Sequence, residues 1–393
     1  MKIRIQAVIA VVFISFSVFF TGCKDPNTPT PTPQRGDVLK QEMVKQLSLT
    51  EIRALTSDSV AGEYLRFPVT CYRLTYSSVY EGDSITTTAL MLLPECADSI
   101  RRLCVYMHGT NLPYDKLTAQ QQMPSNYFSG YKQSGGEVAV CAIPLAANGF
   151  CVVMPDYIGY GPTANKEHPF VYYPELHFAN IDGLRALRNV LKLSGKQPVW
   201  LGGYSQGGGA ALSLHKYIQE MYNSEFEVVS SSCLSGPYNY VGQIEGVLRD
   251  NIPIPSVLIS WSAYVLNRFD VHRNPDQIFS YTVTDQMSAI TNFYGGIKDI
   301  FRPYFIEGVV SGADTEWIAA SERNSFHHGW KPTGKVYLHH GTKDDIVPYF
   351  NTTDAYKGLT EAGGDVTVFS YEGKTHTNVT PSYIKNTLKV WAR

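Results

Sequence analysis

The chain has 393 residues, enough for one large α/β domain with an insertion or for two ordinary domains. Its composition, 44% hydrophobic and 17% charged, is typical of a globular protein. The formal net charge of −2 gives no electrostatic basis for binding nucleic acid or an anionic membrane surface, so we expect no nucleic-acid partner.

The N-terminal residues predict an export signal that is not part of the fold. Lys2 and Arg4 precede an apolar stretch, residues 5–20, and the sequence F-T-G-C that follows ends at Cys23. This pattern resembles a bacterial lipoprotein signal, which implies cleavage of residues 1–22 and lipidation of Cys23. One alternative is an ordinary secretory signal with an incidental cysteine. Another is an uncleaved membrane helix, for which the apolar run is short.

Residues 23–48 are predicted to form the lipid anchor and a tether. The stretch from Asp25 to Gly36 is rich in proline and threonine, a composition that cannot bury a core and favours an extended, semi-rigid chain. A short helix, predicted from Leu49 to Thr56, then leads into the folded domain. We therefore expect an exported protein, anchored by lipid in the bacterial cell envelope at the outer membrane or cell surface. Its only membrane contact is expected to be this anchor.

Six cysteines remain when Cys23 is set aside, and their spacing does not resemble a zinc site. Export makes disulfides possible, but several of these cysteines lie in apolar, strand-like runs, where a small buried thiol is the favoured interpretation. We predict no particular bridge and no metal site. The six are Cys71, Cys96, Cys104, Cys141, Cys151 and Cys233.

The first part of the predicted core, residues 49–237, contains a hairpin and a buried strand. Polar and apolar residues alternate from Glu63 to Pro94, which predicts two antiparallel strands. The apolar run from Leu103 to Met107 predicts a buried strand, and the motif H-G-T-N follows it. Because the glycine lets backbone amides turn inward, the amide of Thr110 is a candidate oxyanion donor.

A second buried strand is predicted from Phe150 to Met154, and Asp156 follows it. Asp156 lies where a catalytic carboxylate could lie, but it precedes the candidate nucleophile in the chain. We therefore interpret it as a residue that fixes its loop. The apolar spacing of Ile181, Leu184 and Leu187 then predicts a helix that covers the sheet.

The motif G-Y-S-Q-G is centred on Ser205, between a short apolar run at residues 199–201 and a helix rich in small residues. A serine at the tip of a sharp strand-to-helix turn has a strained backbone. Glycine at the two flanking positions lets the strand and the helix approach closely. The motif predicts an exposed nucleophilic hydroxyl, with the amide of Gln206 directed to where an oxyanion forms. A plain glycine-rich turn is the alternative.

The alternation of strands and helices, which indicates a mostly parallel sheet covered on both faces, stops at residues 238–331. This segment is rich in aromatic residues and irregularly helical, and a structureless loop of this length is implausible in a compact domain. We predict a helical cap inserted above the site, which shapes a largely apolar acyl pocket. Most of the aromatic residues are expected to form the core of the cap itself.

The parallel pattern resumes in the second part of the predicted core, residues 332–393. A strand from Lys335 to His339 is followed by H-G-T-K-D-D-I-V-P, which contains Asp344 and Asp345, and His376 follows the last strand. A serine hydroxyl needs a base to take its proton, and histidine suits that role. A carboxylate can orient the imidazole and stabilise its charged form.

The order of these motifs resembles the α/β-hydrolase superfamily: a serine, then an acid in H-G-x-x-D-x-x-V-P, then a histidine after the last strand. Together with H-G-T, P-D-Y-x-G-x-G and G-Y-S-Q-G-G, the set looks most like the secreted lipases and esterases. The resemblance covers residues 63–393 and implies the α/β-hydrolase fold. It also implies Ser205 as nucleophile, His376 as base and Asp344 as acid. Family spacing favours Asp344 over Asp345.

The sequence therefore predicts a serine hydrolase that cleaves a small ester or acylated substrate through an acyl-enzyme, without a cofactor or metal. A serine peptidase of the prolyl aminopeptidase or oligopeptidase kind remains open. An aminopeptidase needs acidic cap residues to hold the substrate amine, and Glu245, Glu307 and Glu316 are candidates. A glycan acyl esterase that removes acetyl or feruloyl groups is a further alternative, as is a binding module without catalytic activity.

Overall fold

The structure of the protein is a computed structural model. It describes the residue ranges 33–56, 64–96, 102–113, 122–129, 136–249 and 252–391. The predicted signal peptide, residues 1–22, and the predicted lipidation site Cys23 lie outside these ranges. Within them, no helix is both long enough and apolar enough to cross a membrane.

One sheet of nine strands organises the described chain. The strands are β1 (Val38–Leu47), β2 (Val69–Tyr80), β3 (Asp83–Pro94), β4 (Arg102–Met107), β5 (Phe150–Pro155), β6 (Gln197–Tyr204), β7 (Phe226–Leu234), β8 (Lys335–Gly341) and β9 (Val366–Tyr371). Their order is β1-β2-β3-β5-β4-β6-β7-β8-β9. The first three neighbouring pairs are antiparallel and the remaining five are parallel.

A hairpin builds the antiparallel part of the sheet, as predicted. β2 and β3 pair from Val69 opposite Pro94 to Tyr80 opposite Asp83, which leaves Glu81 and Gly82 as a two-residue turn. Both turn residues have positive φ, 50° and 85°. Two-residue hairpin turns of this kind are favoured because their backbone twist matches the twist of the flanking strands. β3 then pairs with β5 and joins the hairpin to the parallel strands.

β1 differs from the sequence prediction, which assigned residues 23–48 to the anchor and tether. Val38–Leu47 instead pairs with β2 and forms one edge of the sheet. An edge strand needs only one partner strand, and this one exposes Leu39 and Met43. It therefore lacks the buried apolar run by which a strand is recognised in a sequence. The compact unit begins at Gln34.

Helices cover both faces of the sheet. They are α1 (Leu49–Leu55), α2 (Ile143–Ala147), α3 (Tyr173–Val190), α4 (Gln206–Met221), α5 (Tyr240–Leu248), α6 (Ser256–Leu266), α7 (Gln286–Thr291), α8 (Ile297–Ile300), α9 (Pro303–Ser311), α10 (Thr315–Arg323), α11 (Phe350–Glu361) and α12 (Thr380–Trp391). Within β4, Cys104 packs in one apolar cluster with residues of α1, α2 and α12. The next residue, Val105, packs in a second cluster with residues of α3 and α4. The predicted fold, a mostly parallel sheet covered by helices on both faces, is confirmed.

In the described part of the chain, six α-helices, α5 to α10, lie between β7 and β8 as an inserted cap. Trp261 and Trp317 of the cap are fully buried and join the apolar cluster that contains α3 and α4. Tyr294 and Tyr304 are instead exposed. Because its core is continuous with one side of the sheet, the cap belongs to the same compact unit as the sheet.

Candidate active site

Ser205 occupies a sharp turn between β6 and α4. Its φ of 57° and ψ of −122° lie in a region that residues other than glycine rarely adopt. A Cβ atom on Gly203 would lie 2.1 Å from the Gly207 carbonyl oxygen, and one on Gly207 would lie 1.9 Å from the Met107 carbonyl oxygen. Both glycines of the motif are therefore required by close contact, and they hold the serine hydroxyl at the N-terminus of α4.

A chain of hydrogen bonds joins the three predicted triad side chains. His376 Nε2 lies 2.9 Å from Ser205 Oγ, and His376 Nδ1 lies 2.8 Å from Asp344 Oδ2. The three residues follow β6, β8 and β9, whose C-terminal ends lie along one edge of the parallel sheet. The Tyr204 hydroxyl fixes the histidine loop by donating to the His376 carbonyl oxygen at 3.0 Å. In this arrangement the imidazole can take the serine proton while the carboxylate stabilises the resulting charge.

The two adjacent carboxylates, Asp344 and Asp345, have different surroundings. Asp344 Oδ1 accepts from two backbone N–H groups, at 3.0 and 2.8 Å, in addition to the imidazole. Asp345 Oδ1 instead accepts from the backbone N–H of His376 at 3.4 Å. Burial raises the pKa of Asp344, but hydrogen bonds from His340 and His376 outweigh it and hold that pKa well below its usual range. The carboxylate that contacts the imidazole is therefore charged at neutral pH.

His340 supports the same carboxylate and was not assigned a role from the sequence. The side chain is fully buried at the end of β8, and its Nε2 lies 3.1 Å from Asp344 Oδ2 and 2.9 Å from the Val347 carbonyl oxygen. Because a carbonyl oxygen only accepts, Nε2 carries a hydrogen. His340 Nδ1 lies 2.7 Å from Thr352 Oγ1. The signal that could have identified it is its place as the histidine of the H-G-x-x-D motif.

The two predicted oxyanion donors lie beside Ser205, the predicted nucleophile. The backbone amides of Thr110 and Gln206 donate to no other described residue, and both residues line the same pocket as Ser205. Burial lowers the pKa of His108 to about 4, so its ring is neutral at pH 7 and donates from Nδ1 to the Gly109 carbonyl oxygen at 2.7 Å. In a trans peptide the N–H points away from the carbonyl, so this bond orients the amide of Thr110.

Glu137 holds the same loop and was not predicted from the sequence. Its Oε1 accepts from the Gly109 N–H at 2.8 Å, and its Oε2 lies 3.0 Å from the Tyr106 hydroxyl. Burial raises the pKa of Glu137 to about 8, even though both hydrogen bonds lower it. The carboxyl group is thus mostly protonated at pH 7, so it places little negative charge beside the oxyanion donors.

His168 fixes the side chain of Gln206. Burial lowers the pKa of His168 to about 4, and its Nδ1 donates to the Ile158 carbonyl oxygen at 2.7 Å. The other nitrogen of the neutral ring must accept, and it takes a hydrogen bond from Gln206 Nε2 at 3.0 Å. The backbone N–H of His168 also donates to Gln286 Oε1 of α7 at 2.9 Å. These bonds connect the nucleophile turn, the loop after β5 and the cap.

A mostly apolar pocket lies beside Ser205, between the core and the cap. Thr110, Phe170, Gln206 and Ile346 form part of its core side. The volume of this cavity that is open to a water-sized sphere is about 30 Å³. The cap side comes from α5, α6 and the segment between them, through Tyr240, Gln243, Ile254, Leu258, Ile259 and Ser262.

Asp156 lies outside the triad and fixes local structure. Its Oδ2 accepts from Thr88 Oγ1 at 2.5 Å, and its Oδ1 accepts from the Ser125 N–H at 2.9 Å. Among the described residues, no group of three or more His, Cys, Asp or Glu side chains is placed to hold a metal ion. Free thiols occur in the described ranges at Cys71, Cys96, Cys104, Cys141, Cys151 and Cys233, of which all but Cys96 are buried.

A sequence profile of the Alpha/beta hydrolase family matches residues 108–379, which is more than half of the chain. The protein therefore belongs to this family. The match runs from His108 through Ser205 and the cap to just past His376. No curated protein matches the sequence significantly.

Solved structures share the fold at low sequence identity. The rice cell wall degrading esterase LipA from Xanthomonas oryzae is 21% identical with a TM-score of 0.73, covering 91% of this chain and 97% of that chain. A putative hydrolase from Legionella pneumophila is 19% identical with a TM-score of 0.74, covering 90% and 97%. Candida antarctica lipase A in its closed state is 16% identical with a TM-score of 0.63, covering 88% and 78%.

Proposed function

We propose that the protein is a serine hydrolase that cleaves carboxylic esters through an acyl-enzyme. The observation that carries this proposal is the unbroken hydrogen-bond chain from Ser205 Oγ to His376, at 2.9 Å, and from His376 to Asp344, at 2.8 Å. Membership of the Alpha/beta hydrolase family supports hydrolysis as the class of reaction. The structures with the same fold include an esterase and a lipase, which supports an ester as the bond that is cut.

In the proposed reaction, Ser205 Oγ attacks the ester carbonyl carbon while His376 Nε2 takes the serine proton. The carbonyl oxygen becomes an oxyanion that accepts from the amides of Gln206 and Thr110, each worth about 10²–10³ in rate if they behave like measured donors. The imidazolium then gives its proton to the departing alcohol. Water, deprotonated by the same imidazole, hydrolyses the acyl-enzyme and frees the serine. Asp344 holds the imidazole tautomer throughout.

The pocket favours an esterase over an aminopeptidase. An aminopeptidase needs a carboxylate near the site to hold the substrate amine. Glu245 pairs with Arg249 and Glu316 pairs with Arg273, and neither these glutamates nor Glu307 line the pocket. The described lining of the pocket contains no carboxylate, so an uncharged acyl group fits it better than an aminoacyl group.

Covalent labelling combined with ester hydrolysis tests the proposal. We expect the purified protein to react with a fluorophosphonate probe at Ser205 and to hydrolyse 4-nitrophenyl butyrate. Ser205→Ala should lose both properties, whereas Ser224→Ala, at an exposed serine, should keep both. Labelling that survives in Ser205→Ala, or a wild-type protein that does not react at all, would contradict the proposal. Acetylated and feruloylated glycans and aminoacyl anilides, assayed in parallel, separate the glycan esterase and peptidase alternatives.

We further propose that the protein is exported and anchored in the cell envelope through lipid on Cys23. The support is the sequence alone: a basic start, the apolar residues 5–20 and the F-T-G-C motif, all outside the described ranges. Cys23→Ser should abolish incorporation of radiolabelled palmitate and leave a protein that is uncleaved or released from the membrane. Palmitate labelling equal to wild type in that variant would exclude the anchor.

A further inference from the structure

The pocket beside Ser205 contains a polar side chain with an unused hydrogen-bond donor. Gln243 of α5 lines this pocket and is only 9% exposed. Its Oε1 accepts a hydrogen bond from Asn351 at 3.1 Å, but its Nε2 donates to no described residue. Nε2 is not among the fully buried unpaired polar atoms of the described residues, so it can be reached from the pocket and is free to donate a hydrogen bond to an acceptor atom of a ligand.

The orientation of the Gln243 amide follows from its neighbours. The backbone N–H of Asn239 lies 3.0 Å from Asn351 Oδ1, and a backbone N–H can only donate, so this oxygen is correctly placed. Asn351 Nδ2 is therefore the atom that faces Gln243, and it donates to Gln243 Oε1 and also to the Pro348 carbonyl oxygen, at 3.1 Å in each case. The Nε2 group is the end of the glutamine amide that remains for the pocket.

The hydroxyl groups on the cap side of the pocket already donate their hydrogens to backbone carbonyl oxygens. The Tyr240 hydroxyl donates to the Ser262 carbonyl oxygen at 3.2 Å. The Ser262 hydroxyl donates to the Ile259 carbonyl oxygen at 3.0 Å. Gln243 is therefore the described cap residue that can donate a hydrogen bond into an otherwise apolar space.

The position of the imidazole shows which part of an ester enters this pocket. The departing alcohol oxygen must take a proton from His376 Nε2, and His376 does not line the pocket. Ser205 and the two oxyanion residues, Thr110 and Gln206, do line it. In the proposed reaction the carbonyl carbon lies between these three residues, so the acyl chain attached to that carbon would extend into the pocket.

We propose that Gln243 is a specificity-determining residue that selects short acyl groups bearing a hydrogen-bond acceptor, such as an ether or keto oxygen. This inference rests on the proposed ester hydrolysis and names the class of acyl group for that same site. The small accessible space, about 30 Å³, accounts for the short chain, and the Gln243 Nε2 group accounts for the acceptor. An apolar acyl chain leaves the amide unpaired, whereas an acceptor oxygen satisfies it.

Two pairs of 4-nitrophenyl esters test the inference, each pair matched in shape and leaving group. The first is methoxyacetate against butyrate, and the second is 4-oxopentanoate against 4-methylpentanoate. In Gln243→Met, we expect the ratio of kcat/KM for the oxygen-bearing ester over its apolar partner to fall about tenfold in at least one pair. Gln46→Met, the same change at an exposed position of β1, should leave both ratios unchanged.

Gln243→Glu provides a second variant, because it keeps the size of the side chain and the oxygen that faces Asn351 while it removes the donor. We expect it to lower the same ratio at least as much as Gln243→Met, with fluorophosphonate labelling of Ser205 showing that the site is intact. Ratios within twofold of wild type in both variants would overturn the inference. Continued hydrolysis of the butyrate ester would then leave the proposed function standing. A wild-type protein that hydrolyses none of the four esters would contradict both this inference and the proposed function.

Discussion

Asp344 and Asp345 are adjacent, but their different hydrogen bonds indicate different roles for the two carboxylates. Asp344 contacts His376 Nδ1 at 2.8 Å and His340 Nε2 at 3.1 Å, whereas Asp345 contacts a backbone N–H at 3.4 Å. Consecutive residues in a turning backbone point in different directions, so only one of the pair can face the imidazole. In the proposed mechanism, Asp344 therefore orients His376, and Asp345 supports only the backbone of the histidine loop.

Replacing each carboxylate by its amide tests this assignment. We expect Asp344→Asn to lower kcat by about 10⁴-fold, because the amide favours the wrong imidazole tautomer and cannot stabilise the imidazolium. Asp345→Asn should cost at most about tenfold, through the stability of the loop. Steady-state kinetics on 4-nitrophenyl butyrate with both purified variants provide the measurement. The assignment is wrong if the loss is found in Asp345→Asn and Asp344→Asn stays near wild type.

The partly buried carboxyl group of Glu137 makes stability depend on pH. The group loses its proton near its ordinary pKa in the unfolded chain, but only near pH 8 in the folded protein, because burial raises its pKa to about 8. Between these two values the folded state holds the extra proton, so the free energy of unfolding falls as the pH rises. One proton contributes at most about 1.4 kcal/mol per pH unit, and partial exposure makes the slope smaller.

Glu137→Gln should remove this pH dependence, since the amide resembles the protonated acid and does not titrate. We expect Tm of the wild-type protein, relative to Glu137→Gln, to fall from pH 5 to pH 8 and to level off above. Glu220→Gln, at an exposed glutamate on α4, serves as the control and should keep the wild-type pH dependence. Melting curves whose Tm values run parallel for wild type and Glu137→Gln across this range would show that Glu137 titrates normally.

Local sequence motifs predicted some residues of the candidate site. They could not predict residues whose role depends on contacts that are distant in the sequence. Ser205 belongs to a motif whose glycines are required by contacts of 2.1 Å or less, so its position follows from the sequence. Glu137 instead acts through Gly109, which lies 28 residues earlier in the chain. Gln243 acquires its orientation from Asn351, 108 residues later. Contacts of this kind arise only from the tertiary fold, so no local pattern reports them.

At the scale of elements, burial determined which strands could be predicted. β4 and β5 were predicted to within one residue at each end, because they are continuous apolar runs or nearly so. The edge strand β1 was missed, because six of its ten residues are exposed. The cap was predicted as a helical insertion from its length and aromatic content, but its individual helices, several of them short, could not be placed from periodicity.

Leu258 of α6 lines the cap side of the pocket beside Ser205. Leu258→Ala removes side-chain atoms from this lining. It therefore enlarges a cavity whose volume open to a water-sized sphere is only about 30 Å³. One methylene in an apolar pocket is worth about 10-fold or more in kcat/KM. We therefore expect the ratio of kcat/KM for the hexanoate over the butyrate ester to rise about fivefold or more.

Leu55→Ala is a matched control for this change, because Leu55 is 39% exposed on α1 and does not line the pocket. That variant should keep the wild-type chain-length profile. Fluorophosphonate labelling of Ser205 should be unchanged in both variants, since neither alters the triad. An unaltered ester profile in Leu258→Ala would mean that α6 does not limit the acyl chain.

At the scale of the whole molecule, a buried charge fixes the start of the compact unit. Asp182 of α3 is fully buried and accepts from Arg35 Nε at 3.1 Å, Arg185 Nη1 at 2.8 Å and Ser78 Oγ at 2.7 Å. Without Arg35, Asp182 keeps Arg185 and Ser78 as donors, so the cost is less than the about 3–5 kcal/mol of a buried charge left uncompensated. Arg35, three residues before the first residue of β1, is thus tied to α3 in the middle of the chain, and the compact unit begins at Gln34.

Two truncated chains distinguish this start from the boundary predicted by sequence. A chain of residues 34–393 keeps β1 and the ion pair of Arg35, so we expect its Tm and its ester hydrolysis to match those of the mature protein. A chain of residues 48–393 lacks β1 and exposes the long edge of β2, which otherwise pairs from Val69 opposite Leu47 to Tyr76 opposite Val38. It also leaves Asp182 without one of its partners. We expect it to melt at least about 5 °C lower or to aggregate. Equal Tm and equal solubility of the two chains would instead place β1 outside the cooperative unit.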